Sequence, residues 1–182
     1  YGKICGNYSL WSNLTIFWGC GTNLHRSPYN ARNHEYYSED AVLTSGQAVA
    51  FISGGKEYGV IIAPKHLAFN DTEINRTGVS VFMTEQQARE NELRGTQASI
   101  EDAGALGVMT AFNRVGITAA NAHTGLLKNI LRGEWGFKGL ESQDFIMNPN
   151  YAVLKEYALN GGTMTTFTGE NTMAAVSEKF AY

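Results

Sequence analysis

The sequence predicts an α/β fold built as an incomplete (β/α)8, TIM-barrel-like sheet, with about five of the eight βα units present. Three observations carry this expectation. Short apolar runs alternate with helix-like stretches, the pattern of a parallel sheet. The runs are continuous rather than alternating, as strands buried on both faces are. Polar residues cluster just after the runs, at the strand ends where barrels build their sites.

The first run, Leu14 to Trp18, reads as a buried strand. A polar, aromatic-rich stretch follows from Asn23 to Asp40. Ser45 to Ser53 reads as a helix feeding a strand at Val60 to Ala63, bounded by Gly59 and Pro64. Thr84 to Ala103 reads as helical: Thr84 can cap it with Gln87 three residues on, and Ala88, Leu93, Ala98 and Ile100 fall loosely on one side. Leu106 to Thr110 is the next strand. Gly125 to Arg132 is a third helix, with Leu126, Leu127, Ile130 and Leu131 apolar. Leu140 to Phe145 should be a further strand ending in the carboxylate of Asp144. Asn150 to Leu159 is a fourth helix, with Tyr151, Leu154 and Ala158 inward. No glycine-rich phosphate fingerprint follows a strand, which disfavours a dinucleotide fold.

The 182 residues suffice for one domain with a real core. Hydrophobic residues at 43% and charged residues at 17% are ordinary globular values. A net charge of −3 does not mark the chain for nucleic acid or an anionic membrane. No apolar run is long enough to span a bilayer, and no basic-then-apolar leader opens the chain, so a soluble protein of unassigned compartment is expected. Tyr1-Gly2-Lys3 reads as the middle of something longer. Cys5 and Cys20 are expected as free thiols rather than a disulfide framework.

The stretch from Asn23 to Asp40 mixes Arg26, Arg32, His25, His34, three tyrosines and three asparagines. Rigid donor forks, amides and aromatic faces with polar tips suit a ligand with many hydroxyls and apolar faces, such as a sugar ring. A solvated loop held by Arg–Glu pairs explains the same composition. Lys65 and His66 begin where a strand ends and can both donate to vicinal hydroxyls, with Arg76 at the far end of the same loop. Asp144, at a strand end beside Phe145, is placed as a nucleophile or equally as a cap. His25, His34, His66 and His123 show no metal-type spacing, so neither a metal nor another cofactor is expected.

Five ordered blocks then carry a resemblance: Asn23-Leu24-His25-Arg26 to Ser38-Glu39-Asp40; Pro64-Lys65-His66 through Asn70-Asp71 to Asn75-Arg76; Val108 to Asn113; Leu131-Arg132-Gly133-Glu134-Trp135-Gly136-Phe137-Lys138-Gly139; and Gln143-Asp144-Phe145. In order and spacing the chain resembles glycoside hydrolase family 3, the β-glucosidase type, from about Trp18 to Gly169. The resemblance implies that residues 1–182 are part of that family's N-terminal barrel domain, with no second domain present. It implies hydrolysis of terminal β-D-glucosyl residues by retaining double displacement, as part of a larger enzyme. Asp144 is then the nucleophile. Arg32, Lys65, His66 and Arg76 hold hydroxyls of the terminal sugar, and their charge helps keep Asp144 ionised. Phe112 and Phe145 stand where the family often has tyrosine, or tryptophan or tyrosine. The implied partners are a β-glucoside or short β-linked oligosaccharide, and missing strands and a second domain from other segments or chains.

The departures are specific. The family's acid/base lies in a later region and its Asp-Gly-Pro segment in an earlier one. Ala31 replaces a glycine, His34 a phenylalanine and Ala41 a proline. Glu141, Ser142 and Gln143 interrupt a strand that is usually apolar, and strand alternation sets Glu141 on the opposite face from Asp144. These departures also suit an alternative, a non-catalytic carbohydrate-binding or interaction fragment.

Overall fold

The structure, a computed structural model, describes residues 1–145 and 154–166. Its first element is helix α1, Gly2–Trp11. Strand β1, Ile16–Gly21, follows, then a long loop containing a 3-10 turn at Asn33–Glu35. Helix α2, Ala41–Lys56, leads into strand β2, Ile61–Leu67. Strand β3, Ser80–Val81, precedes helix α3, Glu85–Gln87, a π-helical turn at Ala88–Glu92 and helix α4, Arg94–Glu101. Strand β4, Gly107–Thr110, is followed by the short strands β5, Arg114–Val115, and β6, Thr118–Ala119. A π-helical segment, Gly125–Glu134, leads to strand β7, Leu140–Gln143. Helix α5 spans Leu154–Leu159.

Strands β1, β2, β4 and β7 form one sheet in that order, every pair parallel. Met164 adds a parallel bridge to Ser142 of β7. Parallel neighbours need crossovers, and α2, α4 and the π-helical segment Gly125–Glu134 supply the three. Their apolar residues pack on the sheet: Ile52 and Ile100 meet Ile62, Leu67 and Val108 in one core, which Leu127 and Leu131 extend. The small sheet β3-β5-β6 sits apart. No helix among the described residues is long and apolar enough to cross a membrane.

The expected parallel α/β alternation is present, with shifted boundaries. β1 starts two residues later than the apolar run, and Leu14 is 52% exposed. The reason is position: β1 is a sheet edge, so its first half is covered only in part. The predicted helix from Ser45 to Ser53 extends in both directions, because Asp40 Oδ1 accepts the Leu43 N–H and caps it at 2.6 Å. The stretch from Thr84 to Ala103 is three pieces rather than one helix. Its cap stands, with Gln87 N–H donating to Thr84 Oγ1 at 3.1 Å. Ala88, Leu93, Ala98 and Ile100 are all buried.

Of the fourth predicted helix, residues 150–153, Tyr151 included, lie outside the described residues. In the remainder Leu154 is buried, but Tyr157 rather than Ala158 turns inward. Helix α1 was not anticipated. Its inner face is Gly2, Gly6 and Ser9, which meets Gly54 and Gly55 of α2. A Cβ on Gly2 would stand 2.1 Å from the carbonyl oxygen of Phe51, so only glycine allows this approach. Cys5 and Cys20 are free thiols.

Candidate active site

The loops after β1 and β2, and the end of β7, meet over the C-terminal edge of the sheet, where parallel α/β folds place their ligands. Lys65 and His66 stand at the end of β2, and Asp144 follows β7 directly. Asn23, just past β1, clamps the His66 backbone from both sides. Its Nδ2 donates to His66 O and its Oδ1 accepts the His66 N–H, both at 3.0 Å. The loop beyond it is held by polar side chains. Asn33 Nδ2 donates to Ser27 O at 2.7 Å, and His25 Nε2 lies 2.9 Å and 3.0 Å from the carbonyls of Asn33 and Tyr36.

These elements enclose a cavity of about 410 Å³ lined by Trp18, Arg32, Lys65, His66, Glu73, Arg76, Met109, Asp144, Phe145 and Thr166. The structure therefore brings together Arg32, Lys65, His66, Arg76, Asp144 and Phe145. Phe112 is not on the cavity wall. It is buried behind it, with the Arg76 guanidinium over its ring at 4.3 Å, a cation–π contact. Phe145 is exposed at the rim.

The cations of the wall are paired with carboxylates on it and beside it. Glu35 holds Arg32 at 2.6 Å and Lys65 at 2.5 Å. Glu73 holds Arg32 at 3.1 Å and Arg76 at 2.9 Å, and accepts from Asn70 Nδ2 at 2.9 Å. Asp144 Oδ2 lies 3.6 Å from His66 Nε2 and 4.0 Å from Arg76 Nη1, while Oδ1 accepts the Phe145 N–H at 2.8 Å. One carboxylate oxygen is thus tied to the backbone and the other faces the cavity. Glu35 is one of the Arg–Glu pairs that a loop of this composition suggests, whereas Asp40 caps α2 and Glu39 accepts from Ser38 Oγ at 3.5 Å.

The cations do favour the ionised form of Asp144, as expected, but burial opposes them and is the larger effect. Burial raises its carboxyl above the ordinary aspartate range, and the Phe145 N–H with Arg76, Arg32 and Lys65 offsets only part of that. Burial, helped by the same three cations, drives His66 well below the usual histidine range, so its ring is neutral. Glu141 lies on the other face of β7, buried near Tyr157 and Arg132.

Sequence reading missed Trp18, Glu73, Met109 and Thr166 on the wall, and Tyr36 and Asn70 behind it. Tyr36 Oη lies 3.0 Å from His66 Nδ1. The presence of Glu73 three residues before Arg76 was the available signal for a paired loop.

A model of the glycosyl hydrolase family 3 N-terminal domain matches residues 12–161. A β-glucosidase of Rhizobium radiobacter is 39% identical over 144 residues, 79% of this chain and 18% of that protein. Probable β-glucosidase J of Emericella nidulans is 38% identical over 130 residues, 71% of this chain and 15% of that protein. Among solved structures, β-glucosidase 3B from Thermotoga neapolitana in complex with glucose superposes with a TM-score of 0.84 at 32% identity. It covers 90% of this chain, which covers 22% of it. The β-glucosidase from Kluyveromyces marxianus in complex with glucose gives 0.89 at 27% identity, covering 97% and 21%. The chain thus spans under a fifth of the length of the two curated relatives.

Proposed function

Because the chain belongs to glycosyl hydrolase family 3 through its N-terminal domain, we propose that it forms part of the catalytic barrel of a β-glucosidase. The observation that carries this reading is Asp144. Its Oδ2 opens on a polar cavity rimmed by Arg32, Lys65, His66 and Arg76. In a retaining mechanism this oxygen attacks the anomeric carbon as the aglycone oxygen leaves, giving a glycosyl-enzyme that water then hydrolyses. Arg32, Lys65, His66 and Arg76 donate to the hydroxyls of the terminal glucosyl unit. Phe145 offers an apolar edge at the mouth, and Phe112 backs Arg76.

The acid/base and the remaining barrel strands come from segments outside the 182 residues. The small share of each relative that the chain covers supports this. So do the parallel edge at β1 and, among the described residues, the lone Met164 bridge on the far side of β7, where a closed barrel would continue the sheet. Residues 1–182 are on this reading one partial barrel domain.

A second reading has a specific observation behind it. Glu73, the other carboxylate lining the cavity among the described residues, and Glu35, which pairs with the lining Arg32 and Lys65, are both held by cations, which ill suits a proton donor. The chain would then bind sugar without turning it over. One experiment separates the two. The full protein is incubated with a 2-deoxy-2-fluoro-β-glucoside, and the labelled peptide is located by mass spectrometry. Label on Asp144, with loss of aryl β-glucoside hydrolysis in Asp144→Ala, supports the enzyme. Sugar binding with no label and no turnover supports the binder, and normal turnover by Asp144→Ala sinks the nucleophile assignment.

A further inference from the structure

Behind the cavity wall a chain of hydrogen bonds runs from a carboxylate to an imidazole, through residues nothing so far assigns a role. Glu73 Oε1 lies 2.9 Å from Asn70 Nδ2. The same Asn70 nitrogen lies 3.3 Å from Tyr36 Oη, which lies 3.0 Å from His66 Nδ1. Asn70, Tyr36 and His66 are all buried, at 1%, 5% and 2% exposure. We propose that Tyr36 and Asn70 are positioning residues that fix the tautomer of His66, keeping its proton on Nε2 toward Asp144 and the sugar space.

The direction of each bond propagates from the carboxylate. Glu73, held by Arg32 and Arg76, is an acceptor only. The Asn70 group facing it is therefore the NH2 and not the carbonyl oxygen. That NH2 carries a second proton, and its partner is Tyr36 Oη. Burial also raises the Tyr36 hydroxyl above the ordinary tyrosine range, so it keeps its own proton. Among the described residues the acceptor within reach of that proton is His66 Nδ1. A neutral imidazole that accepts at Nδ1 carries its proton on Nε2. Nε2 faces Asp144 Oδ2 at 3.6 Å.

The opposite tautomer fails on two counts. Nδ1–H would donate to a hydroxyl that already receives Asn70, leaving the buried tyrosine proton without an acceptor. The Nε2 lone pair would also face the Asp144 carboxylate. One contact favours it, Arg32 Nη2 at 3.4 Å from Nε2. That contact is long, and an orphaned buried donor costs more than it returns. The backbone clamp by Asn23 keeps the ring from evading the choice.

The value of this device for sugar binding rests on the function proposed above, since an N–H can donate to a hydroxyl oxygen that Arg32 and Lys65 also reach. The tautomer itself needs neither substrate nor turnover. It is read by nitrogen-15 NMR of the full protein labelled in histidine, with the His66 signals assigned by their loss in His66→Gln. The expected result is an unprotonated Nδ1 and a protonated Nε2 at neutral pH. Tyr36→Phe removes only the hydroxyl and should give a mixture of the two tautomers. A wild-type proton on Nδ1, or an imidazolium, overturns the proposal, as does a pure Nε2–H form in Tyr36→Phe. Neither result touches the labelling of Asp144, and a failure to label Asp144 leaves the tautomer assignment standing.

Discussion

Replacing Glu141 with glutamine should stabilise the protein by an amount that grows with pH. Its carboxyl is 1% exposed, and neither oxygen has a hydrogen-bond partner among the described residues. The hydroxyls of Tyr157 and Thr110 lie close, but their hydrogen bonds run to the carbonyls of Glu141, Met164 and Ser142. Arg132 is the nearby cation, and its guanidinium is engaged by the carbonyls of Phe137, Gly139 and Gly161 at 3.1, 2.8 and 2.6 Å. Burial therefore pushes the Glu141 carboxyl from 4.5 up to about 8. Between those values the folded protein holds a proton that the unfolded chain has released. Stability from this group is complete below about pH 4.5, falls as pH rises, and levels off above about pH 8. At pH 7 the loss is roughly 3 kcal/mol, from ~1.36 kcal/mol for each pH unit above 4.5. Glutamine keeps the shape and removes the titration. Urea unfolding of wild-type protein and Glu141→Gln, run from about pH 4.5 to pH 8, gives the difference directly. It should widen by several kcal/mol across that window. A difference independent of pH would refute the reasoning, and one that narrows would mean that Arg132 pairs with an ionised Glu141.

Three further outcomes follow from the geometry. Ala31 sits at φ 73°, a left-handed conformation that glycine adopts freely, so Ala31→Gly should raise stability by about 1 kcal/mol in a denaturant melt. Asp40→Ala removes the α2 cap and should cost about 1 kcal/mol, seen as a lower midpoint in the same assay. His66 is buried neutral, so its ring proton shifts should stay flat between about pH 5 and pH 8. A titration near the ordinary histidine value would contradict that. Because its folded value lies below the unfolded one, the stability it contributes is lost on acidification through about pH 6.5, not on making the solution more basic.

How legible the fold was depended on which residues face inward. β2, β4 and β7 could be read because each is flanked by helices or neighbouring strands on both sides, and two of the three are continuous apolar runs. β7 broke the pattern with Glu141, Ser142 and Gln143, and was placed by the residues around it. Helix α1 was illegible for a physical reason. Its inner face is glycine and serine, while Ile4, Tyr8 and Trp11 point to solvent, so its hydrophobic pattern is inverted. Strands β3, β5 and β6 have two residues each, too few for any periodicity. In the candidate site, residues beside strand ends were legible because the strand directs them. Tyr36, Asn70 and Glu73 were not, since the contacts that tie them to the site, Tyr36 to His66, Asn70 to Tyr36 and Glu73 to Arg32, span 30 or more residues. The effect of the cations on Asp144 was legible, but the burial that outweighs it was not.

That pairing has a consequence for which sugars the cavity can prefer. Arg32, Lys65 and Arg76 are matched one for one by Glu35, Glu73 and Asp144, and His66 is neutral. Seen from a distance such a ring has almost no field, so it steers nothing toward itself and gives salt little to screen. A uronic acid gains no attraction from cations that are already matched, and its carboxylate would meet Asp144. On the function proposed above, a cavity with many charges and no net charge would tell an uncharged hexose from its neighbours by the positions of its hydroxyls rather than by charge.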